Sequence, residues 1–178
     1  MSTFLEICKD VRAQAGISGD GPASVSSQIG IYADVVRWVE ESYNEIQTMH
    51  ENWNFLFTQT SFELQEGFSE FDPSGEGMRQ ISKDTFKIQF ELGDKTRLRF
   101  IPYTTWKRID RFDDGTVGEP TDVTEMPNGT LKFYPEADED YTIYYDGFLR
   151  PQVMTSSTDV PSFHAQYHDL IIFKALMK

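Results

Sequence analysis

His164 and His168 stand four residues apart with Asp169 adjacent. On a helix that spacing presents two imidazoles to one metal ion. The glutamate that would complete a zinc-protease motif is missing, because Ala165-Gln166-Tyr167 fills the gap, and His50 is the only further histidine. The plainer expectation is two polar residues in the first turn of an amphipathic helix. Acidic clusters at Asp113-Asp114, Asp122 to Glu125 and Glu136 to Asp140 are candidates for a loose divalent site. None has the Asp-x-Asp-x-Asp-Gly order with a distant glutamate that a calcium loop needs, and solvated hairpin turns are expected instead. A small metal-dependent enzyme or binding module using His164, His168 and acidic loops is the chemical alternative this chain offers. There is no Gly-x-Ser-x-Gly elbow, Walker loop or dinucleotide fingerprint. Gly16-Ile17-Ser18-Gly19-Asp20-Gly21-Pro22 matches a phosphate loop only in its glycines, so it reads as a helix–helix joint. The expectation is no catalytic residue, no metal and no cofactor.

Lys95, Arg97, Arg99, Lys107, Arg108 and Arg111 form the one basic concentration, with Phe90, Phe100, Tyr103 and Trp106 interleaved. Cations between aromatics on strands can grip single-stranded nucleic acid. Simple alternation, with charges outside and aromatics inside, is the stronger expectation for half-buried strands. If the region binds anything, an acidic patch of a neighbouring copy is the better fit.

The charge balance points the same way. With 29 acidic against 16 basic residues the formal net charge is −13, which repels phosphate and argues against a basic nucleic-acid grip. The balance also disfavours anionic membranes, and no apolar run approaches the ~20 residues of a membrane span. Hydrophobic residues at 39% and aromatics at 14% of 178 residues supply a packed core. Cys8 is the only cysteine, so no intrachain disulfide can form. The amino terminus lacks a signal-peptide pattern, and synthesis and folding in a cytoplasm are expected.

Thr3 with Glu6 reads as a capping box that starts a helix at Phe4, and Gly16 is its natural stop. A Gly/Ser/Pro-rich joint follows to Ser27. A second helix is expected from Gln28 to Trp53, about 38 Å long at ~1.5 Å per residue. Ile31, Val35, Trp38, Val39, Ile46, Met49 and Trp53 form one apolar stripe; Tyr32, Val36 and Tyr43 form another. One stripe would face a core and the other a neighbouring subunit. From Phe55 the period becomes alternating. Strands are expected over Thr58 to Leu64, Phe86 to Leu92 answered by Leu98 and Phe100, Val123 to Met126 answered by Leu131 to Tyr134, and Tyr141 to Phe148. Asn128-Gly129 predicts a type I′ turn. A short helix is expected over Pro102 to Phe112. Ser162 is the expected cap of a final helix carrying Tyr167, Leu170, Ile171, Phe173, Leu176 and Met177. Its apolar pattern is still running at Lys178, which predicts a longer chain or an end covered by a partner. The expected fold is α+β: a helical bundle from both chain ends (1–54 and 151–178) with an inserted antiparallel β-meander, small and barrel-like, over 55–150.

The order of several short segments carries a resemblance. These are Phe4-Leu5-Glu6-Ile7-Cys8, Gly16-Ile17-Ser18-Gly19 with Gly21-Pro22, Gln28 with Gly30, Trp38-Val39, Ile46-Gln47, and Trp53 with Phe55-Leu56-Phe57. Met126-Pro127 with Gly129-Thr130-Leu131, Arg150-Pro151, and Tyr167-His168 with Leu170-Ile171 and Ala175-Leu176 continue the series. Together they resemble head-to-tail connector (adaptor) proteins of tailed bacteriophages, especially short-tailed ones. Members typically continue with further helix past the Ala-Leu-Met segment. The resemblance implies a structural virion protein of the neck, made in the bacterial host cytoplasm and without catalysis. Twelve copies would form a ring under the portal protein, extend the DNA channel without binding DNA specifically, and offer a platform to tail and nozzle proteins. Such a ring needs head-to-tail interfaces. Tyr32, Val36, Tyr43, Trp53, Arg97, Arg108, Arg111, Leu170, Phe173 and Met177 are the expected subunit or portal contacts.

Overall fold

The computed structural model describes residues 2–91, 93–109 and 115–178. The fold is α+β, and the chain divides into two compact units: Met1–Leu56 with Pro151–Lys178, and Phe57–Arg150.

The first unit is helical. Helix α1 (Phe4–Gln14) begins with a capping box: the Glu6 N–H donates to Thr3 Oγ1 at 3.3 Å and the Thr3 N–H to Glu6 Oε2 at 2.8 Å. Phe4, Ile7, Cys8 and Val11 are buried, the spacing of one helical face. Helix α2 (Ile31–Thr48) has 18 residues, about 27 Å at ~1.5 Å per residue, so the expected seven-turn rod is too long at both ends. Ser27 and Gly30 take positive φ (57° and 60°) before it, which keeps Gln28 and Ile29 out of the helix. At the other end Trp53 turns back, and its indole N–H donates to the Ile46 carbonyl at 3.0 Å. That carbonyl also accepts the Met49 N–H at 3.4 Å, so the indole adds a second bond at the last turn.

Helix α4 (Asp169–Ala175) follows a 3-10 turn at Ala165–Tyr167. Ser162 does not cap it, contrary to expectation; the Ser162 N–H donates to the Tyr43 hydroxyl at 2.9 Å instead. The three helices share a core that includes Val35, Val39, Tyr43, Phe163, Ile171 and Ile172. Lys174 pairs with Glu45 and Lys178 with Glu41 and Glu45, linking α4 to α2.

The second unit contains strands β1 (Phe57–Leu64), β2 (Glu70–Phe71), β3 (Met78–Ile81), β4 (Lys87–Phe90), β5 (Thr96–Arg97) and β6 (Arg99–Phe100). Helix α3 (Tyr103–Trp106) and strands β7 (Asp122–Glu125), β8 (Leu131–Tyr134) and β9 (Tyr141–Leu149) follow. One sheet runs β1-β9-β4-β5 with β3 also paired to β9; the other runs β2-β8-β7-β6. The expected meander is corrected: β9, last in sequence, is the central strand of the first sheet. Its alternating burial puts Tyr141, Ile143 and Tyr145 inward against Phe62, Leu64, Phe86 and Ile88. The sheets are not all antiparallel either, since β6 and β7 pair in parallel. The expected return strand from Leu98 to Phe100 divides: the Leu98 N–H donates to the Phe86 carbonyl at 3.0 Å, whereas the Arg99 and Ile101 N–H groups donate to the Thr121 and Val123 carbonyls at 2.9 and 2.8 Å. β5 therefore stays with β4 while β6 joins the other sheet. Among the described residues neither sheet closes into a barrel.

The β7–β8 hairpin is in register from Asp122↔Tyr134 to Glu125↔Leu131. Its turn is not type I′. Pro127 requires negative φ, Asn128 keeps it, and Gly129 alone is positive at 88°. The Gly129 N–H donates to Met126 O and the Met126 N–H to Thr130 O, both at 2.8 Å, as in a turn closed by a left-handed glycine. The expected helix over Pro102 to Phe112 narrows to α3, and Phe112 lies outside the described residues. Among the described residues no helix is long and apolar enough to cross a membrane.

Candidate functional site

Helix α4 is apolar on two sides. Ile171, Ile172 and Ala175 are buried in the core of their unit. Leu170, Phe173 and Met177, spaced three and four apart on the opposite side, are 50%, 58% and 85% exposed. Three large apolar groups in a row, two on α4 and Met177 in the turn just past it, are more than the scattered exposure normal for a surface.

Beside this row lies a groove of about 930 Å³ lined by Ile46, Met49, Trp53, Phe55, Phe163, Tyr167 and Leu170, among others. Aromatic contacts build its wall. Trp53 stacks on Phe55 with centroids 5.3 Å apart, Phe55 meets the edge of Phe163 at 5.3 Å, and His50 meets Trp53 at 4.8 Å. The shortness of α2 makes the groove, because the chain after Thr48 folds back and brings Trp53 and Phe55 beside α2. Met49 at 65% and Tyr167 at 50% exposure extend its apolar surface.

The second stripe of α2 has a different fate from the one expected. Tyr43 is only 1% exposed and leaves the set of partner contacts. Its hydroxyl donates to Gln152 Oε1 at 2.6 Å while accepting the Ser162 N–H. Gln47 and Gln152 complete the network: the Gln152 N–H donates to Gln47 Oε1 at 2.8 Å and Gln47 Nε2 to the Gln152 carbonyl at 2.9 Å. Tyr32 is half-buried, its hydroxyl donating to the Ser18 carbonyl at 3.1 Å. Val36 is half-buried against the same core, and Trp53 is the groove wall. Within this stripe it is Tyr43 that the linker around Gln152, which carries no apolar pattern, covers.

The two histidines do not share a helical face. His164 is exposed at the head of the 3-10 turn, its Nδ1 accepting the Gln166 N–H at 3.4 Å. His168 is 2% exposed, its Nε2 lies 3.2 Å from the Phe163 carbonyl and its ring meets the Phe163 edge. Among the described residues no three His, Cys, Asp or Glu side chains gather as a metal site would require. Asp122 to Glu125 is strand β7 and not a loop; buried Asp122 accepts from Arg99 Nε at 2.6 Å, and the contact raises the guanidinium pKa. Asp138 accepts the Tyr141 hydroxyl at 2.8 Å and Asp140 the Glu66 N–H at 2.8 Å. Asp113 and Asp114 lie outside the described residues.

The basic concentration divides. Arg99 serves Asp122, Lys107 lies over Tyr103, and Arg108 is exposed just beyond α3; Arg111 lies outside the described residues. Lys95 and Arg97 meet Lys87 around a hollow of about 670 Å³ on the outer face of the first sheet. Lys87 was not among the basic residues expected to cluster. Its signal is the register of the β4–β5 hairpin, which sets Lys87 directly opposite Arg97.

Comparison with protein-family models and with curated proteins finds no match.

Proposed function

We propose that this chain is a structural virion protein, a non-catalytic head-to-tail adaptor. Twelve copies form a ring under the portal, extend the DNA channel and present a platform to tail and nozzle proteins. The observation that carries the reading is the uncovered row of Leu170 and Phe173 on α4, continued by Met177 in the turn after it, while the other side of the helix is already core. Burial of apolar area at ~25 cal/mol per Å² gives such a row a drive toward a partner surface. The groove beside it adds concave apolar area, the usual form of a helix-docking site. In this reading the helices from both chain ends act as one bundle that bears the ring or portal contact. The net charge of −13 suits a channel wall that DNA passes without adhering. The chain would be made in the bacterial cytoplasm and act in the virion neck.

The test is co-sedimentation with the cognate portal protein. Wild-type chain should travel with the portal in a fixed ratio. Leu170→Glu with Phe173→Glu should stay folded, because both side chains are exposed, yet remain behind as a free subunit. Undiminished portal binding by that folded double variant would remove the support this reading has.

A further inference from the structure

The hollow on the β1-β9-β4-β5 sheet is electrostatically unfinished. Lys87 and Arg97 are direct cross-strand partners, and like charges so placed are destabilising. Lys95 enters the same hollow with its Nζ 3.3 Å from the centre of the Tyr144 ring. Two carboxylates lie there as well. Asp84 is 3.9 Å from Arg97 Nη2, and Asp146 accepts from Gln59 Nε2 at 3.1 Å. Neither reaches the lysines: among the described residues Lys87 and Lys95 have no carboxylate within 4.0 Å. A sheet face that gathers cations around empty volume in a chain of net charge −13 suits an anionic occupant.

The same unit carries the complementary group. Asp138, Glu139 and Asp140 are exposed just before β9. Two of them are held by the Tyr141 hydroxyl and the Glu66 N–H, so the loop is ordered in advance, which lowers the entropic cost of docking. Burial first, and then the carboxylates of Asp138, Glu119 and Glu139, push the Tyr141 phenol pKa upward. Loop and hollow do not neutralise each other within one chain. Tyr141 faces inward and Tyr144 outward on β9, three positions or about 10 Å apart along the strand.

We infer that the hollow bounded by Lys87, Lys95 and Arg97 receives the Glu136–Asp140 loop of a second copy of this chain. Two different patches meeting copy to copy make a head-to-tail contact, the type that generates rings. The inference rests on the assembly reading above and names one of its contacts.

Zero-length carbodiimide coupling, which joins a lysine amine to a touching carboxylate, tests it on an equal mixture of unlabelled and ¹⁵N-labelled chains. Mixed-isotope cross-links from Lys87 or Lys95 to residues 136–140 are expected. Lys87→Glu with Lys95→Glu should weaken self-association about tenfold or more, as should Asp138→Lys with Glu139→Lys. Mixing the two variants should restore association, since each supplies the patch the other lacks; circular dichroism checks that both are folded. Assemblies that form without those cross-links, or folded variants that associate like wild type, overturn this contact while leaving the adaptor reading in place. A wild-type chain with neither assembly nor interchain cross-link at any concentration, both alone and with portal protein added, overturns both.

Discussion

Removing the Tyr43 hydroxyl leaves the Gln152 side-chain oxygen and the Ser162 N–H short of a partner. Tyr43→Phe should therefore cost about 1–3 kcal/mol in urea unfolding, the range for a buried polar group stripped of its bond. Tyr32→Phe loses only an exposed bond to Ser18 and should cost less than about 1 kcal/mol. Cys8 makes a second prediction. Burial pushes its thiol up to about 12 from the ordinary 9.0, so the folded chain keeps a proton that the unfolded chain releases. Stability is then full below pH 9 and falls as pH rises from 9 toward 12, at up to about 1.4 kcal/mol per pH unit. Burial pushes the Tyr145 phenol to about 12 as well, which steepens the fall above pH 10. Urea midpoints at pH 7, 9 and 10 should show this decline, and Cys8→Ala should flatten its first part. Equal slopes for wild type and Cys8→Ala would contradict the buried-thiol account.

Strand β9 works only because position 147 lacks a side chain. A Cβ there would come within 2.6 Å of the Gln80 carbonyl and clash with Met78, where the β3 register shifts between Met78 and Gln80. Gly147→Ala should cost about 1–3 kcal/mol, the range for overpacking, and loosen β3 first. Faster amide exchange confined to Met78–Ile81 is the expected signature. The sequence reading reached this strand by alternation but did not find its place, since period gives the face of a strand and says nothing of its neighbours. Some local signals succeeded, since Thr3 and Glu6 start α1 and the strands over Asp122–Tyr134 pair as expected; others failed, since Pro127 excludes the expected type I′ turn and Ser162 caps no helix. Longer reach defeated them. The Trp53 indole reaches seven residues back to the Ile46 carbonyl in the last turn of α2, and Gln152 covers Tyr43 from 109 positions away. Likewise Lys87 joined the basic hollow through cross-strand register, and Asp122 left the acidic loops because its partner Arg99 is 23 positions distant.

A subunit of net charge −13 repels its copies, and salt decides how far. At ~0.01 M ionic strength the screening length is about 30 Å and whole subunits oppose one another; at ~0.15 M it is about 8 Å, longer than an ion-pair contact but shorter than a subunit. Self-association should therefore be weaker at low salt than at physiological salt unless a partner templates it. Sedimentation velocity across that range reads the effect, and a ring already complete at low ionic strength would contradict it. In the proposed assembly the apolar row of Leu170, Phe173 and Met177 would supply the opposing attraction, and the balance of the two would set whether a ring stands alone or needs the portal. The most direct measurement is the native mass of the purified chain at ~0.15 M salt, alone and with portal protein added. A twelve-copy species in at least one of the two mixtures is the predicted result. A 20.5 kDa monomer in both would contradict the claim that this chain exists to assemble.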